Sequence, residues 1–391
     1  MKRAFIKFSA AVLGMTMIFT GSPFSAFASS PSFARTDEEW ASLQDNRMEY
    51  GELEGLVQEY NPTVQQNQFD YQQFRKDYGD KKDDVTQHYR DLAQEILSDI
   101  TYPDPDDANY AALMTVALSS ETQAKNLETT ADKNMEDSET KRLTYEMAEK
   151  TLVQTAENNM ISYHTGLLDI TKSEKERDLS SVLLAAAQAR RDAGTGTDTE
   201  VLTSQQSELS AEQAVLKSQS DLSDIKRKLQ IMLGWDGNAE PEIGDIPEPD
   251  LSRIDGMDPV KDKDKALENN YTLRINQKKL ANANSDTQKN TLNSTIADNK
   301  AKIAWSLTTA WQNVITARNN YNALLTDTEL KRVRLEQASL KYGNGTDSRL
   351  SLDQAQIAYD EVQISLEEAK LTLFQNMETY DWNVKGLANA S

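Results

Sequence analysis

The sequence predicts an all-α protein built as two long antiparallel helical hairpins, one in each half of the chain, with no membrane β-barrel. Three observations lead there. Apolar residues recur in heptad steps through the second half, with one slip and with Thr328 and Lys331 as the polar exceptions. A pair of glycines interrupts the helical pattern at two places 149 residues apart, with a Thr-Asp pair after the second glycine each time. Of the 391 residues, 38% are hydrophobic, 7% aromatic and 27% charged. That is little apolar material for a compact enzyme core of this length, but it suits long helices with one narrow apolar seam and wide wet faces.

The chain opens with "MKRAFIKFSAAVLGMTMIFTGSPFSAFASS", which reads as a cleaved export signal over 1–28. Lys2, Arg3 and Lys7 form its basic start, Phe8 to Thr20 its short apolar core, and Ala26-Phe27-Ala28 its cleavage site, with cutting after Ala28. The apolar run is too short to span a bilayer, and no Cys follows it to carry a lipid. The protein is therefore expected outside the cytoplasm, at the cell envelope or surface. The chain has no Cys at all, which excludes disulfides, thiolate chemistry and Cys-ligated zinc. Its formal net charge is −21; the signal holds three bases and no acid, so the remainder carries −24. Such a surface repels nucleic acid and anionic lipid.

After an N-terminal extension (29–50), the first repeat is expected over 51–235. It begins with a short helix around "LVQEYNPTVQQNQ", passes through a proline turn and a further helix in "TYPDPDDANYAALMTVALSS", and runs to a turn in "DAGTGTDTEVLTSQQ" (192–206). A return helix then ends at "MLGWDG", with Trp235. Residues 236–262 hold four Pro, three Gly and many acids, and read as a linker with room for short extended pieces. The second repeat, 263–383, opens with "ALENNYTLRINQ" and continues as one helix over 284–342. The positions Leu307, Ala310, Val314, Ala317, Tyr321, Leu324, Thr328, Lys331, Leu335, Ala338 and Tyr342 alternate by three and four. A second seam follows the turn, through Leu352, Ala355, Tyr359, Val362, Leu366, Ala369, Leu373, Met377 and Tyr380. The second half ends at "ETYDWNVKG", whose Trp382 by position repeats Trp235, and residues 384–391 form a tail.

The turn between those seams is "KYGNGTDSRLSLDQAQ". A helix end leaves carbonyls unpaired, and glycine closes them most cheaply in the left-handed conformation. Gly343 or Gly345 is expected to do so, with Thr346, Asp347 or Ser348 capping the returning helix. The 149-residue shift sets Gly194 on Gly343, Gly196 on Gly345 and Thr197 on Thr346.

Catalytic chemistry is not indicated. The two histidines, His88 and His164, lie in polar helical surroundings and read as surface residues. "PDPDD" lacks the spacing and glycine of a calcium loop, and no phosphate loop or nucleophile motif occurs. No cofactor or metal is expected.

These landmarks resemble the TolC family of bacterial outer-membrane efflux proteins. Tyr342, Gly345, Arg349, Leu350, Ala355 and Gln356 match its second tip in order. Asn269, Asn270, Leu273 and Arg274, with Asn61-Pro62 in the first half, match its short-helix landmark, and Leu233-Gly234 its first-half ending. The resemblance covers about 55–383. The family's barrel strands have no room here, since only 75 residues separate Asn270 from Gly345. The family resemblance implies a homotrimeric helical conduit without enzymatic activity. It also implies hairpin tips that dock to a membrane-fusion adaptor of an ABC transporter. The expected place is the extracytoplasmic envelope, with outer-membrane association as the alternative. Matched by position, the docking residues are Tyr342, Gly343, Gly345, Thr346, Arg349 and Leu350, with Gly194, Gly196, Thr197, Val201 and Leu202 in the first half. The entrance positions are Ser351 and Gln354, so no acidic constriction is expected. Tryptophan at Gly196 and Gly345 is expected to leave the fold intact. The alternative to transport is a structural coiled-coil protein of the cell surface or wall.

Overall fold

The computed structural model describes residues 35–236 and 238–390; the export signal lies outside the described residues. Helix α1 (Asp37–Leu43) leads to strand β1 (Arg47–Met48), then to helices α2 (Leu53–Tyr60) and α3 (Pro62–Tyr78). Helices α4 (Lys82–Asp99) and α5 (Tyr110–Lys133) pair as a separate hairpin. The first long hairpin is α6 (Ser138–Asp192) and α7 (Asp198–Met232). The linker contributes strand β2 (Glu242–Ile243), parallel to β1, and helix α8 (Ser252–Gly256). The second repeat holds α9 (Lys263–Asn269), α10 (Tyr271–Asn282), and the long hairpin α11 (Asp286–Gly343) and α12 (Arg349–Trp382).

Side-chain caps fix where these helices start. Asp137 Oδ1 accepts the Thr140 N–H at 2.9 Å and opens α6, and Ser285 Oγ accepts the Gln288 N–H at 3.2 Å and opens α11. From α10 the chain enters α11 across 283–285 alone, which leaves no strand between them. In the first half, α4 and α5 occupy the stretch where barrel strands would fall. Among the described residues the fold is thus a duplicated pair of long helical hairpins with β1 and β2 as its strands and no membrane barrel. At 1.5 Å per residue the 58 residues of α11 span about 87 Å.

The predicted seam is present. Leu307, Ala310, Val314 and Ala317 are buried against Leu373, Met377 and Tyr380. Beyond Tyr321 the seam is only half covered, as Thr328 and Lys331 suggest. The four long helices form a row in the order α7, α6, α12, α11, each antiparallel to its neighbour. The link between hairpins is α6 with α12, fastened by Gln375 Nε2 donating to Asn158 Oδ1 at 2.8 Å and by the Lys175–Asp360 ion pair at 2.8 Å. Helices α7 and α11 are left at the two edges.

Two apolar cores lie at the end of the row away from the tips. One gathers Leu53, Leu56, Val57, Met160, Leu229 and Leu233. The other gathers Ala266, Leu273, Ile303 and Leu307, and it includes Val384, Ala388 and Ala390 from the end of the chain. Residues 384–390 therefore pack as part of the second repeat. The linker is also held down: Arg253 pairs with Glu378 at 2.9 Å and Asp381 at 2.5 Å, and His164 Nε2 donates to the Gly244 carbonyl at 2.8 Å. His164 thus has a structural partner, and His88 packs edge-on to Tyr78.

Candidate docking site at the hairpin tips

Both tips end in the same local geometry. Ala193 and Asn344 close their helices, and the residues after them, Gly194 and Gly345, take φ of 73° and 69°. The next residue is threonine in each. Thr195 and Thr346 return their N–H to the carbonyls of Arg190 and Lys341, both at 2.9 Å, and their hydroxyls donate to the same carbonyls. Thr197 and Ser348 then cap α7 and α12.

This geometry corrects the alignment of the repeats. Gly194 corresponds to Gly345, and the shift is 151 residues rather than 149. Each tip offers two glycines, and the left-handed slot falls on the first in one tip and on the second in the other. Under the corrected shift Val201 lies opposite Leu352, a seam position. Val201 is accordingly buried against Leu184 and Ala187, so it seals its own hairpin and offers nothing to a partner. Leu202, one residue on, is 65% exposed. The base of each repeat agrees with this register to within one residue. Gly234 and Gly386 each sit with positive φ against the residue before the capping asparagine, Tyr60 and Asn269 respectively. Trp235 and Trp382 are not equivalent.

The four tip glycines have different reasons to be glycine. Gly194 and Gly345 need the left-handed backbone. A Cβ on Gly196 would lie 2.9 Å from the Arg191 backbone nitrogen, so tryptophan there is incompatible with the turn, contrary to the sequence-based expectation. Gly343 has ordinary helical geometry and open space around it.

The remaining candidates are mostly at the surface. Tyr342 and Thr346 are exposed, and Leu350 is half-buried. The Arg349 guanidinium lies 5.9 Å from the Tyr342 ring and its Nε donates to Asp353 Oδ1 at 2.8 Å. Ser351 Oγ donates to Asp347 at 3.0 Å, and Gln354 is exposed. Asp353, the neighbour of Gln354 in sequence, is thus engaged by a cation, and Asp347 by the Ser351 hydroxyl.

A second surface was not anticipated from the sequence. On α7, Leu202, Leu209 and Leu216 are exposed at seven-residue spacing. On α11, at the opposite edge of the row, Leu325, Leu330 and Leu340 are exposed. Counted from the tip glycines, Leu209 and Leu330 lie at the same height, 15 residues away. The heptad spacing of the α7 leucines, one residue beyond the seam, was the available signal.

Among the described residues no helix is long and apolar enough to cross a membrane, and no cluster of His, Cys, Asp and Glu is arranged to hold a metal. No protein-family model and no curated protein matches the chain. Solved structures do. The outer-membrane channel OprN superposes with a TM-score of 0.50 at 11% identity, over 89% of this chain and 92% of that one. A membrane protein from Pseudomonas aeruginosa gives 0.52 at 12% identity, over 86% and 90%. The class defined by the fold is a TolC-like helical architecture.

Proposed function

We propose that the protein is a non-enzymatic, extracytoplasmic subunit of an efflux or export assembly. Copies stand side by side as a ring, a homotrimer by the family resemblance, and the hairpin tips dock to a membrane-fusion adaptor of an ABC-type pump. One observation carries this reading: a row of four helices ends in two edges that both bear exposed leucines, with Leu209 and Leu330 at the same height. Edge α11 runs toward the tips and edge α7 away from them, so α11 of one copy beside α7 of the next continues the antiparallel alternation. A head-to-tail contact of this kind gives a ring where the rotation between copies closes and an open filament where it does not, and the family resemblance favours the ring. The likeness to an outer-membrane channel supports the same reading.

The chain has no cysteine, which makes the test clean. Leu209→Cys with Leu330→Cys is expected to give covalent trimers under mild oxidation, and each single variant none. Monomers alone, with both thiols open to maleimide, would overturn the ring. For the tips, Gly343→Trp with Tyr342→Ala is expected to abolish adaptor capture without loss of helicity; undiminished capture refutes tip docking.

A further inference from the structure

We propose that each copy seats Trp305 in a cleft at the foot of α7 in the next copy, so that the cleft is a site completed by a second chain. This seat rests on the ring proposed above, and it names the contact that locks the end away from the tips.

Trp305 is 70% exposed on α11. Ile303 and Leu307, two residues to either side, are buried in the seam, so the indole points away from α12 and along the open edge of the row. The helix around it is also unusual. Residues 303–317 contain no Asp, Glu, Lys or Arg, in a chain that is 27% charged. The exposed neighbours on the same side are Ala301, Thr308 and Gln312. The centres of protein interfaces are depleted in charge and enriched in tryptophan, and this face has both properties.

The receiving cleft lies at the other edge. It measures about 380 Å³ and is lined by Leu43 at the end of α1, Tyr60 at the end of α2, and Leu233 and Trp235 just beyond α7. Gln230 Nε2 donates to the Ala239 carbonyl at 2.7 Å, which holds the start of the linker beside α7 and sets Ala239 in the wall. An indole, at about 30 Å³ per ring atom, would fill most of this space. Asp45 and Asp236 in the lining offer acceptors for its N–H, as Glu157 does for Trp382 within the chain.

Knob and hole are level. Trp305 lies 40 residues from Gly345, and Gly234, in the wall of the cleft, lies 40 from Gly194. The same count sets Leu209 level with Leu330, so the pairing of edges extends to the other end of the helices. A small ligand in the cleft would leave Trp305 bare, whereas a second copy covers both features with one contact.

The test starts from the covalent trimers of Leu209→Cys with Leu330→Cys, so that ring and seat are read separately. In these trimers, hydroxyl-radical oxidation of Trp305, followed by mass spectrometry, is expected to be at least about ten-fold slower than in the dilute reduced chain, with slower hydrogen exchange across 233–236. Trp305→Ala in the same background is expected to raise the chain concentration for half-maximal cross-linking at least about ten-fold, and Trp305→Phe to raise it less, with circular dichroism unaltered at this surface position. Ala239→Trp fills the cleft from its own chain and is expected to act as Trp305→Ala does. The two changes together are expected to do no more than either alone. Trimers in which Trp305 oxidises at the rate of the reduced chain overturn the seat and leave the ring standing, as do additive losses in the combined variant. Absence of trimers removes both. Flotation of the mature chain with phosphatidylcholine vesicles, lost in Trp305→Ala, would assign the residue to a bilayer surface instead.

Discussion

Glu157 shows what one residue contributes where the repeats meet. It lies on α6, and the Trp382 indole N–H donates to its carboxylate at 2.5 Å. Burial pushes its pKa up to about 7; the Trp382 hydrogen bond opposes the rise and the charge of Glu378 adds to it. Lys385 faces it as a cation, Glu54 as a further acid, and the Tyr50 phenol, itself raised by burial, lies against the same group. The folded state therefore holds this proton more tightly than the unfolded chain does. Stability from this group is greatest below the ordinary carboxyl value near 4.5 and falls as pH rises toward 7. Glu157→Gln keeps an acceptor for Trp382 and removes the buried charge. It is expected to raise Tm at pH 8, by the equivalent of about 1–3 kcal/mol, and to change little at pH 5. A gain equal at both pH values, by scanning calorimetry, would contradict this. The tip glycines give a second residue-scale prediction. Gly345→Ala and Gly194→Ala are each expected to cost about 1 kcal/mol in urea unfolding, and Gly343→Ala to be neutral or stabilising. The sequence showed that glycines stop these helices but not which ones. "GTGT" and "GNGT" look alike, and only the backbone angle separates the left-handed position from its neighbour.

At the scale of elements, two asparagines tie the short helices to the ends of the long ones. Asn61 Oδ1 accepts the Thr63 N–H at 2.9 Å and its Nδ2 donates to the Met232 carbonyl at 2.8 Å. Asn270 repeats this, accepting from Leu273 at 3.0 Å and donating to the Ala388 carbonyl at 2.8 Å. Aspartate would preserve the cap and lose the donor, setting a charge against a buried carbonyl. Asn270→Asp is therefore expected to destabilise by about 2 kcal/mol or more, though aspartate caps isolated helices as well as asparagine does. Unfolding midpoints of N270D and N270S together separate the cap from the tie. The hairpins themselves were legible, because a 3-4 apolar alternation fixes a helix and its partner-facing side. The pairing of α6 with α12 was not read, although Ile357, Ile364 and Leu371 mark a second heptad stripe on α12 beside the first. The burial of the chain end is not legible in the sequence, because alanines alone, such as Ala388 and Ala390, do not advertise burial.

For the whole molecule, the two tips finish level. Glu157 precedes Gly194 by 37 residues, and its partner Trp382 follows Gly345 by 37. The return helices are 35 and 34 residues long. A shared height of this kind restricts how the gene can change. A residue inserted into α7 alone rotates everything beyond it by about 100° off the seam, so additions must come as whole heptads. A heptad added to α7 needs another in α6 to keep their seam in step, and the second hairpin needs the same pair or the ends fall out of line by about 10 Å. Lengthening is thus a four-place event of about 28 residues per chain, while the α4–α5 hairpin and the connecting segments remain free to drift one residue at a time.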